Sequence, residues 1–396
     1  MIRVGAQTGP YRWLQHLGHG STGEVWGAER GGREIAVKVF RGAGHRSTFE
    51  DAIRRETRIG SLIAGLRGVV AVQKVESLDG HLFLEMEWVH GPSLDQVLGG
   101  RLLAGLGPIP PSVAVEWAVQ ILDTLDAVAR RVAPRRPLSF LHRDIKPGNL
   151  LLRPITGEAC VTDFGVARAE AELGFETTAT GIVKGSPRFL APEAVRARVL
   201  DGRADQFAVA AVLYELLTGC PLYEAQDLPS ILRLVVAADV ATALEAVPGP
   251  PELTSVLRTM LSRDRDGRFP SAREAALALA TIKLKGPVAR EMLPQLLAYA
   301  TDEDGAHPFD GPASQEDSGP FGSATLTQGD DEDTLIDHPD EETTLVSADG
   351  SMPPEATWEP TEGEGPVLPD YDADTEVMDI SPFRKVLEAD GEEGED

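Results

Sequence analysis

Eight residues constrain this 396-residue chain more than any others: His142-Arg143-Asp144-Ile145-Lys146-Pro147-Gly148-Asn149. Phe140-Leu141 precedes them and Leu150-Leu151-Leu152 follows. A polar run pinned between apolar anchors predicts a tight loop between buried elements. From opposite ends of such a loop Asp144 and Asn149 can face one centre, with Lys146 between them as a point charge suited to phosphate. The plain alternative is a solvated polar loop, and the rest of the chain decides between the two.

Taken in order, Tyr11 to Leu17 predicts a strand that runs into Gly18-His19-Gly20-Ser21-Thr22-Gly23 and resumes at Val25-Trp26-Gly27-Ala28. Three glycines there let a hairpin lie close over a polyphosphate, with backbone N–H groups facing it. Such a run is a weak signal alone, but joining two strands it argues against a dinucleotide fold. His19 is expected to be an ordinary exposed loop residue. Glu34 to Phe40 predicts a strand with one lysine, Lys38, among apolar neighbours. Phe49, Ala52, Ile53, Ile59 and Ile63 follow helical spacing with Glu56 inside the stripe. A Lys38–Glu56 pair accounts for both misplaced charges, since either would be costly to bury alone.

Val69–Val75 and His81–Val89 predict two further strands around a turn at Leu78-Asp79-Gly80, and Gly91-Pro92 turns into a helical region. There Ala114, Trp117, Ala118, Ile121, Leu122, Leu125, Val128 and Ala129 form an apolar stripe. Asp163-Phe164-Gly165 places a carboxylate on a glycine-hinged turn after a buried strand, which suits Mg²⁺ between phosphates because that ion takes few carboxylates and keeps its waters. Residues 170–185 are small and polar and end at Gly185-Ser186-Pro187-Arg188-Phe189-Leu190-Ala191-Pro192-Glu193. Asp205 opens a helix apolar almost all round from Phe207 to Leu217, expected to be buried on every side. Glu193 and Arg268 are expected to pair. Ser271 and Glu274 predict a capping box for a last major helix, and Pro287–Tyr299 one more short helix.

From Tyr11 to Leu284 seven of these motifs stand in the order of a protein kinase, and the chain resembles a bacterial eukaryotic-like serine/threonine protein kinase. The resemblance implies an α+β, two-lobed protein-kinase-like fold. An N-terminal extension would occupy 1–10 and the kinase domain 11–285, with a β-rich N-lobe over about 11–90 and a helical C-lobe over about 91–285. It implies that ATP lies among Leu17, Gly18, His19, Gly20, Ser21, Gly23, Val25, Ala36, Lys38, Met86, Glu87 and Val89. Met86 would guard the back of the adenine pocket, and the backbone of Glu87 and Val89 would pair with the adenine edge. Asp144 and Lys146, with Lys38 and Glu56, would be catalytic, and Asn149 and Asp163 would hold Mg²⁺. Thr177, Thr178 and Thr180 become candidate regulatory phosphosites facing Arg143, while Ser186 would bond Asp144 and Lys146. Ser186 and Phe189 stand where threonine and tyrosine are usual, and neither departure predicts loss of activity.

Charge separates the remainder of the chain. Of 63 acids and 37 bases, 30 acids and 2 bases lie from Thr301 onward, leaving the body with 33 acids and 35 bases. A near-neutral body excludes a strongly basic face and makes nucleic acid an unexpected partner. Cys160 and Cys220 both sit in apolar runs and are expected as buried thiols. No signal peptide is visible and the longest apolar run is too short to span a bilayer, so a cytoplasmic protein is expected. Residues 286–300 are expected as the short extra helix and 301–396 as a disordered acidic tail. Acid-flanked threonines recur in that tail at Thr334, at Thr343-Thr344 and at Thr375. They are equally a solvating polyacid or phosphoacceptors. Thr334 with Asp337 resembles a ligand for a phosphothreonine-reading forkhead-associated domain. The alternative to an active kinase acting on protein substrates is a catalytically silent kinase-like scaffold whose tail recruits partners.

Overall fold

The computed structural model describes residues 2–20, 23–40, 47–78, 81–133, 141–164, 182–183, 187–196, 200–300 and 378–379. All of them belong to one of two units, Met1–Asp310 with Asp370–Asp396; the other is Gly311–Pro369.

Alternating apolar residues near the N-terminus build one antiparallel sheet. Its strands are β1 (Gln7–Thr8), β2 (Tyr11–Gly20), β3 (Gly23–Arg30), β4 (Arg33–Phe40), β5 (Val72–Leu78) and β6 (His81–Met86), in the order β1-β2-β3-β4-β6-β5. Both faces are buried. On one, Tyr11, Trp13, Trp26, Ile35, Val37, Val39 and Phe83 cluster, with Tyr11, Trp13 and Phe83 stacked at 5.5–6.1 Å. The Tyr11 hydroxyl is held by Glu76, at 2.8 Å, and by Glu85, which Arg30 also engages. On the other face Ala36, Phe40, Leu84 and Met86 pack with Ile53 of helix α1 (Ser47–Ile63). Lys38 alternates onto this second face, between Ala36 and Phe40.

The strand expected at Val69–Val75 begins three residues later, at Val72. Val69 and Val70 instead pair with Val161, and Gly68 O accepts from Val161 N at 2.8 Å, so this stretch bonds the sheet lobe to the helical lobe. The strand expected to reach Val89 ends at Met86, because the N–H of Glu87 turns to Ala71 O at 2.8 Å.

The helical lobe is built on α2 (Leu94–Leu103) and α3 (Pro111–Val132), followed by the short strands β7 (Leu150–Leu152) and β8 (Ala159–Val161). Then come β9 (Ile182–Val183), α4 (Pro192–Val195), α5 (Arg203–Thr218), α6 (Leu228–Ala237), α7 (Pro251–Met260), α8 (Ala272–Ala280) and α9 (Ala289–Ala300). In α3 the apolar stripe faces the core, and α5 is buried from Asp205 through Leu217, as its all-round apolarity requires. The capping box lies at Ser93 and Gln96, which start α2; at α8 Ser271 Oγ accepts from Glu274 N at 3.3 Å. Cys220 is exposed, a correction to the buried thiol expected: Gly219, at φ +74°, ends α5 and turns the chain outward. Cys160 is buried as expected, and burial pushes its thiol up to about 12.

Glu193 and Arg268 form a buried double hydrogen bond at 2.7 and 2.8 Å, and the guanidinium also lies over Phe207 of α5. Helix α9 packs on α2 and α3: Ser112 Oγ donates to Pro287 O at 2.7 Å and Ala289 N to Glu116 at 2.8 Å. Leu296 is fully buried at that contact. Leu296→Ala should therefore lower the unfolding free energy by about 2–5 kcal/mol; denaturant melts of the two proteins measure it.

Candidate active site

The loop that dominates the sequence is set by a carboxylate 62 and 63 positions away. Asp205, in the first turn of α5, accepts from His142 N at 2.7 Å and Arg143 N at 2.9 Å. The fully buried His142 ring accepts from Asp144 N at Nδ1 (3.3 Å), which fixes its other nitrogen as the donor to Thr162 O at 2.8 Å. The ring also stands edge-on to Phe164 at 4.8 Å. Arg143 (φ 71°) and Asp163 (φ 63°) hold left-handed backbone that non-glycine residues rarely adopt, at a cost of about 1–3 kcal/mol each. These fixed bonds keep both in place.

Asp144 and Asn149 do converge. Asn149 Nδ2 donates to Asp144 O at 2.7 Å and to Asp144 Oδ2 at 2.8 Å, while Lys146 Nζ lies 3.6 Å from the same oxygen. Asp144 Oδ1 is buried and has no hydrogen-bond partner among the described residues. An acceptor so oriented can take a hydrogen bond from an incoming hydroxyl. Burial disfavours the charged carboxyl, but Lys146, His142, the Asn149 hydrogen bond and Lys38 together outweigh it and hold Asp144 below the usual carboxylate range.

Lys38 Nζ pairs with Asp163 Oδ2 at 2.8 Å, with both side chains largely buried. Glu56 lies on α1, and its side chain is outside the described residues, as are those of His19 and Gly20 and the whole of Ser21 and Thr22. The expected hairpin is present: Gly20 pairs with Gly23 across the turn, and a Cβ at Gly23 would overlap the Val39 carbonyl. Leu17, Val25, Ala36 and Met86 lie in one cluster on the Lys38 face, with Ala36 opposite Met86 and Val25 opposite Lys38.

At the crossing between lobes, the Glu87 N–H is engaged by Ala71, which leaves the Glu87 carbonyl as its backbone group for a ligand. The Glu87 carboxylate takes a forked contact from Arg153 at 2.6 and 3.3 Å, and the guanidinium holds it below the usual range. Trp88 packs on Gly27 and stacks on His90 at 4.2 Å, clasping the crossing to the sheet. Val89 packs with Val70, Cys160 and the half-buried Leu151. The site roles of Asp205, Arg153, Trp88 and Leu151 escaped the sequence reading. The only available signal was a lone acid opening an apolar helix.

Among the described residues no three His, Cys, Asp or Glu side chains gather as a metal cage. Asn149 and Asp163 nevertheless suit a hard cation that shares its shell with phosphates. The Asn149 amide nitrogen is engaged by Asp144, so its Oδ1 is the available atom, beside a carboxylate. Thr177, Thr178, Thr180, Ser186, Thr334, Thr344 and Thr375, and the remaining tail apart from Met378–Asp379, lie outside the described residues. No described helix is long and apolar enough to cross a membrane.

Comparison with known proteins identifies residues 11–277 as matching the family described as "Protein kinase domain". Serine/threonine-protein kinase PknH of Mycobacterium bovis is 33% identical over 282 residues, 70% of this chain and 44% of PknH. Serine/threonine-protein kinase PknD of Mycobacterium tuberculosis is 32% identical over 281 residues, 70% of this chain and 40% of PknD. The chain thus matches less than half the length of these relatives. The crystal structure of the Mycobacterium tuberculosis PknI kinase domain superposes with a TM-score of 0.52 at 23% identity, covering 70% of this chain and 98% of that one, a likeness of fold.

The pH dependence of turnover follows from the Asp144 environment. Because its charged form is favoured, the acid limb of kcat/KM should fall below the ordinary aspartate range, and stay flat where a free carboxylate would begin to protonate. Lys146→Met, which removes the largest stabilising charge, should move that limb upward in pH. A full pH profile of both proteins checks the sign.

Proposed function

We propose that this chain, which belongs to the protein kinase family, is a serine/threonine protein kinase that transfers the γ-phosphoryl group of ATP to protein hydroxyls. The observation that carries the reading is Asp144 Oδ1. It is buried and without a protein partner among the described residues, on a loop held in place by Asp205, His142 and Asn149. The adenine would sit among Leu17, Val25, Ala36 and Met86, with its edge on the Glu87 carbonyl and the Val89 N–H. Lys38 would hold the α- and β-phosphates, and Glu56 would steady Lys38. Asp144 would accept the hydroxyl's hydrogen bond and Lys146 would balance charge on the moving phosphoryl group. Asn149 Oδ1 and Asp163 would hold Mg²⁺, whose chemistry is to neutralise the phosphate oxygens.

The serine/threonine assignment rests on Lys146 in the loop, on the docking segment through Ala191-Pro192-Glu193, and on the printed names of the relatives. Phosphorylation among Thr177, Thr178 and Thr180 would order the segment through Arg143. The acidic tail would be phosphorylated by the chain itself and then recruit a phosphothreonine-reading partner of the forkhead-associated type. A cytoplasmic location fits the lack of any long apolar helix among the described residues.

Asp163→Ala should abolish transfer to a serine/threonine peptide with Mg²⁺-ATP, because charge neutralisation supplies most of the rate. The variant should fall by at least about 10³-fold. Wild-type turnover in the variant, or phosphate appearing on tyrosine alone, contradicts the reading.

A further inference from the structure

One ion pair at the crossing between lobes takes no part in the centre around Asp144. Arg153 Nη1 donates to Glu87 Oε1 at 2.6 Å and Nη2 to Glu87 Oε2 at 3.3 Å. Glu87 is the first residue after β6. It is also tied to Ala71 in both directions: its N–H donates to Ala71 O at 2.8 Å, and its Oε2 accepts from Ala71 N at 3.3 Å. These bonds use the N–H and both carboxylate oxygens of Glu87, and none uses its carbonyl.

Arg153 has a fixed base. It follows β7 directly, its N–H donates to Glu158 O and its carbonyl accepts from Gly157 N, both at 2.9 Å. Strand β7 begins one residue after Asn149, and β8 ends two residues before Asp163. Thr162 N closes that end on Asn149 O at 3.0 Å. The hairpin that bears Arg153 at its turn therefore bears the two proposed metal ligands at its open end. A planar guanidinium forked on a carboxylate fixes orientation as well as distance, which a lysine does not. Both side chains are 32% exposed, and an ion pair that exposed adds little to fold stability. Its larger effect is placement.

We propose that Arg153 is a positioning residue for the nucleotide. Through Glu87 it holds the adenine-facing backbone of the crossing in register with the hairpin that leads to Asn149 and Asp163. This rests on the kinase reading above and deepens it, by giving the spacing between the base and the phosphates to one ion pair. Arg153 acts through Glu87 and not on the reacting atoms. The loop bearing Asp144 is held separately, by Asp205 from α5 and by His142 and Asn149 within it. Loss of the fork should therefore weaken a ligand that spans both ends of the site. It should leave the chemical step, and a ligand confined to the phosphate end, nearly untouched.

The test is steady-state kinetics of the full chain with Mg²⁺-ATP and a serine/threonine peptide, with inorganic tripolyphosphate as a competitor of ATP. Arg153→Met should raise the KM for ATP about threefold to tenfold, with kcat and the peptide KM within about twofold of wild type. The inhibition constant of tripolyphosphate should not change. Arg153→Lys, which keeps the charge and loses the fork, should fall between the two proteins. Glu87→Gln removes the same contact from the other side and carries the test if Arg153→Met does not fold. The double variant should be no worse than the weaker single, because both remove one interaction. An unchanged KM for ATP overturns the proposal, as does a fall confined to kcat. A tripolyphosphate constant that rises as far as the KM for ATP, or singles that add in the double, also overturns it. If the wild-type chain neither binds ATP nor modifies the peptide, the parent reading falls and this one with it.

Discussion

The site depends on one carboxylate that takes no part in its chemistry. Asp205 accepts the backbone N–H groups of His142 and Arg143 and so ties the polar loop to the buried helix α5. Burial pushes the Asp205 carboxyl above the usual carboxylate range, and at about 0.5–1.5 kcal/mol each its two hydrogen bonds are still comparable to the cost of left-handed backbone at Arg143. From that anchor the order passes outward. His142 fixes Asp144 N and Thr162 O, Asn149 fixes the Asp144 side chain, and Thr162 leads directly into Asp163. Asp163 closes on Lys38, which comes from the other lobe. A chain of short polar contacts therefore links the buried helix to the sheet face that carries Lys38.

The two lobes are also joined without any of these groups. Val69, Val70 and Gly68 bond to Val161, and Arg153 reaches Glu87 at the crossing. The connection is mostly backbone, which lets the side chains that face a ligand vary in charge without parting the lobes. It also leaves the Glu87 carbonyl as the group proposed to meet an adenine edge. Its N–H and its carboxylate are both held from behind.

Sequence made the site legible where chemistry and spacing coincide. Lys38 and Glu56 stood out as charges inside apolar stripes, and Asp144 with Asn149 as the two ends of a loop between apolar anchors. The all-buried α5 followed from polarity alone, and the Glu193–Arg268 pair from the resemblance of the Ala191-Pro192-Glu193 segment. What stayed hidden was set by tertiary partners. Asp205 looks like an ordinary helix-opening acid until two backbone donors, more than sixty residues earlier, are placed on it. The strand at Val72 starts late because Val69 and Val70 bond to Val161, a pairing no local pattern encodes. Cys220 follows an apolar run, but the αL turn at Gly219 sends it outward. The pairing of Met378–Asp379 with Ile182–Val183 lies in a tail whose acidic composition and threonine motifs encode no strand partner.

The central claim is that Asp144, Asn149, Asp163 and Lys38 form one phosphoryl-transfer centre. It is tested most directly by a crystal structure of the chain with Mg²⁺ and a non-hydrolysable ATP analogue. The account places metal on Asn149 Oδ1 and Asp163, the α- and β-phosphates within hydrogen-bond reach of Lys38, and the adenine edge on the Glu87 carbonyl and Val89 N–H. Asp144 Oδ1 should face open space beside the γ-phosphate. A nucleotide bound away from Lys38, or a metal that avoids Asn149 and Asp163, would contradict it.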